Sequence, residues 1–479
     1  MKSKNIQSLV RPDLLAMEAY SSARNEYTGR ARIFLDANEN PYGSSFGGVT
    51  GLNRYPDPLQ KELKERISDM TGIQPGRLIV GNGSDEILDL LVRATTLPGR
   101  SNVITIPPTY GMYSVVARTN KVEVREVMPS EDFSFTAADI MKAVDRDTGI
   151  IFICSPNNPT GMLAPREEVL SLAEQFEGLV VIDEAYIDFS GTDGFMPVLE
   201  KYENIFILRT FSKARAMAGA RLGIGFGHPF LVKVLNDIKM PYNVNSLTLA
   251  AALNNIDREE MYRSRVGRIM SSREKLSREL QNIEGIRKVF PSDANFILVR
   301  TGRPRELYDY LLGKGIVVRD RSNMPLCEGC LRISVGTENE NEILVEEMKN
   351  FFTGKTDDGV EESDRQLVKR RRTRETDILV DISLDGRGIA DIQTGSGFLD
   401  HMLELFAFHS RTDMLIRVAG DAQVDMHHTV EDIAITLGQA LNELLGSRKG
   451  VNRYGFVMPM DESRATVAID TGGRNMLVW

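Results

Sequence analysis

The chain has 479 residues, of which 42% are hydrophobic and 26% charged, and its formal net charge is −9. This length indicates about two to four domains, and the composition is that of a globular protein. The acidic balance argues against general binding to nucleic acid or to an anionic membrane surface, so a phosphorylated ligand would need a local cationic pocket. The N-terminal residues show no signal-peptide pattern, and no run of about 18 apolar residues occurs, which predicts a cytoplasmic protein without membrane spans.

Between residues 75 and 225, short apolar runs alternate with segments long enough for helices. The predicted strands are 78–80, 103–106, 150–153, 179–182 and 205–208. Runs that are apolar on both faces indicate a largely parallel sheet covered by helices, which is an α/β fold. Ligands of such folds bind at the carboxyl ends of the strands, so we expect the functional site in the loops that follow these runs.

From about residue 230 the pattern changes to long helical stretches such as 258–284. Predicted strands follow at 295–299 and 331–335, which indicates a smaller α+β domain. The polar, charged segment 353–366 predicts a linker. A predicted strand at 378–384 and two helices beyond it indicate a separate unit.

Lys213 lies in a loop of small residues after the fifth predicted strand, next to Ser212 and with Arg221 nearby. A lysine amine is a useful nucleophile when its charged form is disfavoured, and a covalent bond to pyridoxal phosphate removes that charge. Ser212 and Arg221 would then hold the phosphate of the cofactor. Taken alone, such a lysine is more often an ordinary surface residue.

The other strand-end loops carry side chains suited to different parts of the same cofactor. They are Ser84 and Asp85 in a glycine-rich loop, Tyr110, Asn157 in a proline turn, and Asp183 with Tyr186. Amides at a helix start bind phosphate, an aromatic ring stacks on a flat cofactor, and a carboxylate holds a pyridine nitrogen protonated. Each residue also has a structural alternative, such as a turn or cap for Asp183. Their occurrence in successive loops favours one shared site.

Several segments resemble the fold-type-I, pyridoxal-phosphate-dependent aminotransferases. They are 38–43, 108–113, 155–161, 183–186, 212–214 and 331–336. Together they are most similar to histidinol-phosphate aminotransferase, over about residues 5–353. The resemblance implies an aminotransferase part at 1–353, with a large, mostly parallel-sheet domain at about 35–245. A small α+β domain would be formed by the N-terminal segment and residues 246–353.

The same resemblance implies roles for the cofactor residues. Lys213 would carry the cofactor and move the proton of the substrate, Asp183 would pair with the pyridine nitrogen, and Tyr110 would stack on the ring. Asn157 and Tyr186 would hold the ring oxygen. The phosphate would be surrounded by Ser84, Asp85, Ser212 and Arg221, with Tyr55 from the second subunit of a homodimer.

For the substrates, the resemblance implies that Arg332 binds the α-carboxylate, because a planar guanidinium suits a carboxylate. Arg319 and Tyr20 would bind the substrate phosphate. The implied reaction interconverts histidinol phosphate and 2-oxoglutarate with imidazole-acetol phosphate and glutamate, in histidine biosynthesis. A related aminotransferase or a decarboxylase of a phosphorylated amino acid is the alternative.

After a linker at 354–366, the C-terminal unit, 367–479, is rich in histidine. It contains four of the five histidines of the chain: His401, His409, His427 and His428. On a helix, His427 and His428 can each share a face with Glu431, while the two imidazoles diverge from each other. They therefore suit two different metal ions better than one, although paired histidines at a helix start are usually not ligands.

Segments 372–376, 397–403, 427–432 and 448–453 resemble imidazoleglycerol-phosphate dehydratase, a manganese enzyme. The resemblance implies metal or substrate contacts for one set of residues: Glu375, His401, His427, His428 and Glu431. Arg453 and Arg474 would lie near the substrate phosphate. That family has two similar halves, each with a His-His-x-x-Glu segment, and this chain has one. We therefore expect a partial dehydratase-like domain, either from a truncated gene product or as a remnant kept for assembly.

Overall fold

In a computed structural model, the described residues are 5–17, 35–43, 51–354, 365–373, 375–386, 388–420, 426–446, 457–460 and 463–466. The chain divides into two compact units, Met1–Thr356 and Asp357–Trp479. We call them unit 1 and unit 2, respectively. Among the described residues, no helix combines the length and the apolar character needed to cross a bilayer.

A seven-stranded sheet forms the centre of unit 1. Its strands are β1 (Leu78–Asn82), β2 (Asn102–Thr105), β3 (Glu123–Glu126), β4 (Thr148–Cys154), β5 (Leu179–Asp183), β6 (Ile205–Thr210) and β7 (Leu222–Phe226). The order is β1-β7-β6-β5-β4-β2-β3, and only β7 pairs antiparallel with its neighbours. The five strands predicted from sequence are all present, which confirms the mostly parallel α/β fold. The strands β3 and β7 were not predicted from the sequence.

Helices cover both faces of this sheet, so that β1, β2, β4 and β5 are buried along almost all of their length. They are α1 (Pro12–Leu15), α2 (Lys61–Thr71), α3 (Ser84–Thr95), α4 (Met112–Thr119), α5 (Ala137–Met141), α6 (Arg166–Gln175), α7 (Pro229–Ile238) and α8 (Ser246–Ile256). The helix α3 buries Ile87, Leu88 and Leu91 against the sheet, at the spacing of one helical face. This packing fixes the start of α3 at the carboxyl end of β1.

The rest of unit 1 is a four-stranded antiparallel sheet with three helices. The elements are α9 (Glu259–Gln281), β8 (Ile286–Val289), β9 (Phe296–Thr301), α10 (Pro304–Gly313), β10 (Arg319–Asp320), β11 (Cys330–Ser334) and α11 (Glu338–Thr353). The strand order is β10-β11-β9-β8. The core contains Leu276, Ile297, Leu307, Ile333 and Met348, one from each of α9, β9, α10, β11 and α11. The predicted long helix and both predicted strands of this region are therefore present.

Unit 2 has its own sheet and core. Its elements are β12 (Gln366–Arg372), β13 (Thr376–Ser383), β14 (Ala390–Gln393), α12 (Gly397–Ser410), β15 (Asp413–Gly420), α13 (Met426–Leu445), β16 (Val457–Met460) and β17 (Ser463–Thr466). The four-stranded sheet has the order β12-β13-β15-β14. Alternate residues of β13 are buried, and Ile378, Val380 and Ile382 pack with Ile433 and Ala440 of α13. One face of the sheet is thus covered by helices.

Candidate active site

The carboxyl ends of β4, β5 and β6 and the start of α3 meet around one cavity. It is lined by Ser84, Asp85, Tyr110, Cys154, Asn158, Asp183, Ala185, Tyr186, Thr210, Ser212, Lys213, Ala218 and Arg221. Eight of the ten residues predicted to bind a cofactor are in this set, and Asn157 and Tyr55 are not. The strand-end loops that looked suited to one site in the sequence are therefore adjacent in space.

Lys213 is the amine of this cavity. Its Nζ lies 5.7 Å from the centroid of the Tyr186 ring. Burial lowers the pKa of Lys213, and the positive charges of Arg332 and Arg221 lower it further. The neutral amine, which is the form that attacks carbonyl carbon or accepts a proton, is favoured by these surroundings.

Asp183, the last residue of β5, is a carboxylate that is only 4% exposed. Its Oδ2 accepts a hydrogen bond of 2.7 Å from the hydroxyl of Tyr113, and its Oδ1 accepts one of 3.1 Å from the N–H of Ala185. Burial raises the pKa of Asp183 to about 6 despite these two donors. A cationic N–H group placed in the cavity would stabilise its charged form.

Tyr113 was not predicted from the sequence. Its side chain is fully buried and its ring stacks on Phe152, with centroids 4.9 Å apart. The sequence signal for Tyr113 was a side chain with a polar hydroxyl at the start of α4, about one helical turn after Tyr110. Burial and the charge of Asp183 raise the pKa of the Tyr113 phenol, so it stays protonated and donates.

The start of α3 and the residues before β7 form an anion-binding corner. A Cβ atom at Gly83 would lie 2.7 Å from Nη2 of Arg221, and one at Gly223 would lie 2.2 Å from the backbone nitrogen of Ser84. The absence of side chains at these glycines therefore lets Arg221 and the first amides of α3 approach each other. Amides at a helix start, the hydroxyls of Ser84 and Ser212 and one guanidinium suit a phosphate group.

Asp85 also belongs to this corner. It accepts a hydrogen bond of 3.1 Å from the hydroxyl of Tyr110 and forms an ion pair of 3.5 Å with Arg221. These contacts fix the Tyr110 ring at the wall of the cavity and hold Arg221 beside the helix start.

Asn157 lies next to the cavity, but its amide is engaged elsewhere. Its Nδ2 donates to the carbonyl oxygen of Pro108 at 2.8 Å and to Oγ1 of Thr160 at 3.1 Å, while its Oδ1 accepts from Thr109. The neighbouring Asn158 lines the cavity instead. Contact between Asn157 and a cofactor oxygen would require exchange of one of these hydrogen bonds, and its role stays a prediction.

Three arginines come from β10, from the residue that follows it and from β11, and one of them, Arg332, contacts a residue that lines this cavity. Arg319 is directly opposite Arg332 in the strand pair, and Nη1 of Arg332 donates to Oδ1 of Asn158 at 2.5 Å. Burial and the charges of Arg321 and Arg319 lower the pKa of Arg332. Arg319 and Arg332 were predicted from the sequence, whereas Arg321 was not. The sequence signal for Arg321 was a second cation two residues after Arg319.

Other predicted residues of unit 1 are further from the cavity or lie outside the described residues. Tyr55 is half-exposed and stacks on Tyr242, with ring centroids 4.5 Å apart, and it does not line the cavity of its own chain. Tyr20 lies outside the described residues, as do Arg453 and Arg474 of unit 2. The roles of these residues stay predictions.

In unit 2, four of the five residues predicted to contact metal or substrate form two close pairs. Nε2 of His427 lies 3.8 Å from Glu431, and Nδ1 of His428 lies 3.9 Å from Glu375. His401 is exposed on α12. Within the described part of the chain, no group of three or more His, Cys, Asp or Glu side chains is arranged to hold a metal ion.

Two family models match the chain in different regions. Residues 25–348 match the model of aminotransferase class I and II. Residues 394–479 match the model of imidazoleglycerol-phosphate dehydratase. The cavity described above lies entirely within the first match.

Individual relatives agree with the first match. A histidinol-phosphate aminotransferase of Christiangramia forsetii is 46% identical over 353 residues, which are 73% of this chain and 99% of the relative. The crystal structure of the histidinol-phosphate aminotransferase from Clostridium acetobutylicum has 28% identity and a TM-score of 0.59, covering 63% of this chain and 92% of that chain. The enzyme of that name from Sinorhizobium meliloti, solved in complex with pyridoxal-5'-phosphate, has 25% identity and a TM-score of 0.59, covering 63% and 84%.

Proposed function

The chain belongs to the class I and II aminotransferase family, and we propose that it is a histidinol-phosphate aminotransferase of histidine biosynthesis. In the proposed reaction, histidinol phosphate and 2-oxoglutarate are interconverted with imidazole-acetol phosphate and glutamate. The observation that carries this proposal is the convergence of Lys213, Asp183 and Arg221 on one cavity beside the arginines of β10 and β11. The identity of 46% to a relative of that name supports the choice of substrate.

The residues of the cavity fit pyridoxal phosphate by their chemistry. When bound, this cofactor supplies an electrophilic carbonyl carbon for the amino group and a ring that accepts electrons. Asp183 is suited to hold the ring nitrogen protonated because its carboxylate is negatively charged at neutral pH. Both of its oxygens accept hydrogen bonds, and burial raises its pKa only to about 6. Ser84, Ser212 and Arg221 would hold the phosphate.

Lys213 would attach the cofactor and then move the proton of the substrate carbon. Its lowered pKa favours the neutral amine, which is the form that accepts a proton. Tyr186 lines the same cavity, and burial raises the pKa of its phenol, which therefore stays protonated and is able to donate a hydrogen bond. The two substrates would be held by their anionic groups, with Arg332 on the α-carboxylate of glutamate and Arg319 on the phosphate of histidinol phosphate.

We further propose that the active form is a homodimer in which Tyr55 reaches the cavity of the second subunit. The half-exposed Tyr55 ring, which does not line its own cavity, supports this arrangement. A mass in solution equal to one chain for the active enzyme would contradict it.

The variant Lys213→Ala tests the proposed function. Because the amine both attaches the cofactor and moves the proton, we expect turnover of histidinol phosphate with 2-oxoglutarate to fall by about 10³-fold or more, with an unchanged circular dichroism spectrum. Lys142→Ala, at an exposed ion pair with Asp139, is the control and should retain full activity.

Substrate choice is tested in the wild type by comparing histidinol phosphate with phenylalanine and aspartate. We expect kcat/KM to be highest for histidinol phosphate. Repeated turnover by Lys213→Ala, or a clear preference for one of the other amino acids, would exclude the proposed function.

For unit 2, we propose a dehydratase-like domain without dehydratase turnover in this 479-residue chain. The support is its single His-His-x-x-Glu segment, at residues 427–431, since the resembled family uses two. Manganese would then be at most weakly bound.

A further inference from the structure

Arg321 lies in an extension of the β10–β11 pair that places three guanidinium groups together. Arg319 is opposite Arg332, and the N–H of Arg321 donates to the carbonyl oxygen of Cys330 at 2.9 Å, which continues the same ladder. Residues two apart on a strand, and residues opposite each other across antiparallel strands, share one face of a sheet. Arg319, Arg321 and Arg332 therefore occupy the same face.

None of the ion pairs formed by the described residues includes one of these three cations, although the charge of Asp320 partly offsets that of Arg321. Nε of Arg321 and Nε of Arg332 are buried and have no hydrogen-bond partner among them. The adjacent acid, Asp320, instead accepts the N–H of Ser322 at 2.8 Å and caps the turn after β10. Burial and the charge of Arg319 lower the pKa of Arg321, as expected for a guanidinium packed against others of the same charge.

The arginine cluster, defined as Arg319, Arg321 and Arg332, is connected to the cavity of Lys213. Arg332 donates to Asn158, which lines that cavity. The charges of Arg332 and Arg321 both oppose the rise that burial causes in the pKa of Tyr186, another lining residue. Arg319 is exposed, whereas Arg321 and Arg332 are half-buried with buried Nε atoms. Because guanidinium groups that are partly removed from water beside like charges destabilise a protein, the cluster is best explained by an anionic ligand.

In the proposed reaction, Arg319 binds the phosphate of histidinol phosphate and Arg332 binds the α-carboxylate of glutamate. Arg321 has no assigned group. A carboxylate carries one negative charge and two oxygens, whereas a phosphate monoester carries about −1.5 to −2 and three acceptor oxygens. A second guanidinium beside Arg319 therefore favours a phosphate group over a carboxylate of glutamate.

We propose that Arg321 is a specificity-determining residue that binds, together with Arg319, the phosphate group of the amino substrate. This inference rests on the proposed function, because it assumes that the cavity accepts a phosphorylated amine. Arg321, for which the family resemblance implies no role, then discriminates between phosphorylated and unphosphorylated substrates.

The test compares Arg321→Gln and Arg321→Lys with the wild-type holoenzyme in the two half-reactions measured separately. In Arg321→Gln, we expect kcat/KM for histidinol phosphate to fall about 10- to 100-fold, as for loss of a charge-assisted hydrogen bond. We expect kcat/KM for glutamate to change by less than about threefold, and Arg321→Lys to recover part of the loss because it retains the charge. Arg146→Gln, an exposed arginine of unit 1, is the control and should alter neither half-reaction.

A binding measurement with inorganic phosphate separates the inference from the proposed function. Calorimetric titration of the holoenzymes should show at least tenfold weaker phosphate binding in Arg321→Gln than in the wild type. Equal losses in both half-reactions, or unchanged phosphate affinity, would overturn the inference. A wild type that fails to use histidinol phosphate would overturn the proposed function, and the phosphate titration would still decide whether Arg321 binds this anion.

Discussion

Asp183 has opposite effects on the stability and on the function of this protein. A carboxylate at the end of a buried strand loses hydration, and two hydrogen bonds from Tyr113 and Ala185 replace only part of it. The group remains ionised at neutral pH because its pKa rises only to about 6. A buried charge of this kind destabilises the protein in the absence of the cofactor. The same charge can pair with a protonated ring nitrogen, so stability is exchanged for function, a compromise that is common at active sites.

This compromise predicts how Asp183→Asn changes the stability of the cofactor-free protein with pH. The folded state keeps the proton of Asp183 up to about 6, whereas the unfolded chain loses it near 3.8. The resulting stabilisation of the wild type is complete below the unfolded value and is lost as the pH rises through the folded value. Relative to the wild type, Asp183→Asn should therefore gain about 3 kcal/mol in free energy of unfolding between pH 4 and 7, and no more above that.

Urea unfolding of both cofactor-free proteins at several pH values measures this difference. Tyr113→Phe provides a second comparison because it removes a donor that favours the ionised carboxylate and so raises the folded-state pKa of Asp183. The loss of stability should then start at the same pH as in the wild type but continue to a higher pH. A difference between wild type and Asp183→Asn that does not vary with pH would show that Asp183 titrates at its ordinary value in the folded protein.

At the scale of elements, β3 and β7 are the strands of the large sheet that were not predicted, and both depend on contacts that the sequence pattern does not show. The strand β3 is a polar edge strand, and β7 contains two glycines, so neither has the continuous apolar run of a central strand. In the structure, Gly225 fits under Phe206, where a Cβ atom would lie 2.6 Å from the ring. These glycines serve close packing between elements, which depends on contacts that sequence spacing does not specify.

The same distinction applies to the site. Residues at strand ends, such as Asp183 and Lys213, were predictable because the α/β pattern itself brings strand ends together. Tyr113 and Arg321 were missed because their positions depend on a tertiary hydrogen bond and on strand register, respectively. Prediction from sequence thus reached the residues fixed by topology and not those fixed by packing.

Gly223→Ala tests the close approach of β7 to α3. The added methyl group would lie 2.2 Å from the backbone nitrogen of Ser84, so the strand and the helix start must move apart. We expect a loss of about 1–3 kcal/mol in free energy of unfolding, as for overpacked sites, and at least tenfold weaker binding of pyridoxal phosphate. Both are measurable by urea unfolding and by titration of the cofactor absorbance.

Gly219→Ala is the matched control, since nothing lies within 4 Å of the position of its added methyl group. It should bind the cofactor with the affinity of the wild type. If Gly223→Ala also binds the cofactor normally, the anion-binding corner does not depend on the close approach of β7 to the start of α3.

At the scale of the whole molecule, the two units differ in how far their sites are assembled. In unit 1, residues from five strand-end loops surround one cavity. In unit 2, whose residues 394–479 match the imidazoleglycerol-phosphate dehydratase model, four of the five candidate ligands form two pairs among the described residues. The rings of His427 and His428 have centroids 5.6 Å apart at an angle of 68°, so the two pairs diverge as the helical spacing predicts.

This difference predicts that the 479-residue chain does not convert imidazoleglycerol phosphate to imidazole-acetol phosphate, with or without manganese. Manganese prefers octahedral coordination, and each pair of unit 2 supplies two of the roughly six ligands required. We expect weak manganese binding by the wild type and none by the double variant His427→Ala/His428→Ala. The control variant, His409→Ala, should bind manganese as the wild type does. Electron paramagnetic resonance of free manganese measures the binding, and a coupled assay with the transamination of unit 1 detects the product. Turnover that requires manganese and disappears in the double variant would show that the two pairs of unit 2 form a working dehydratase site.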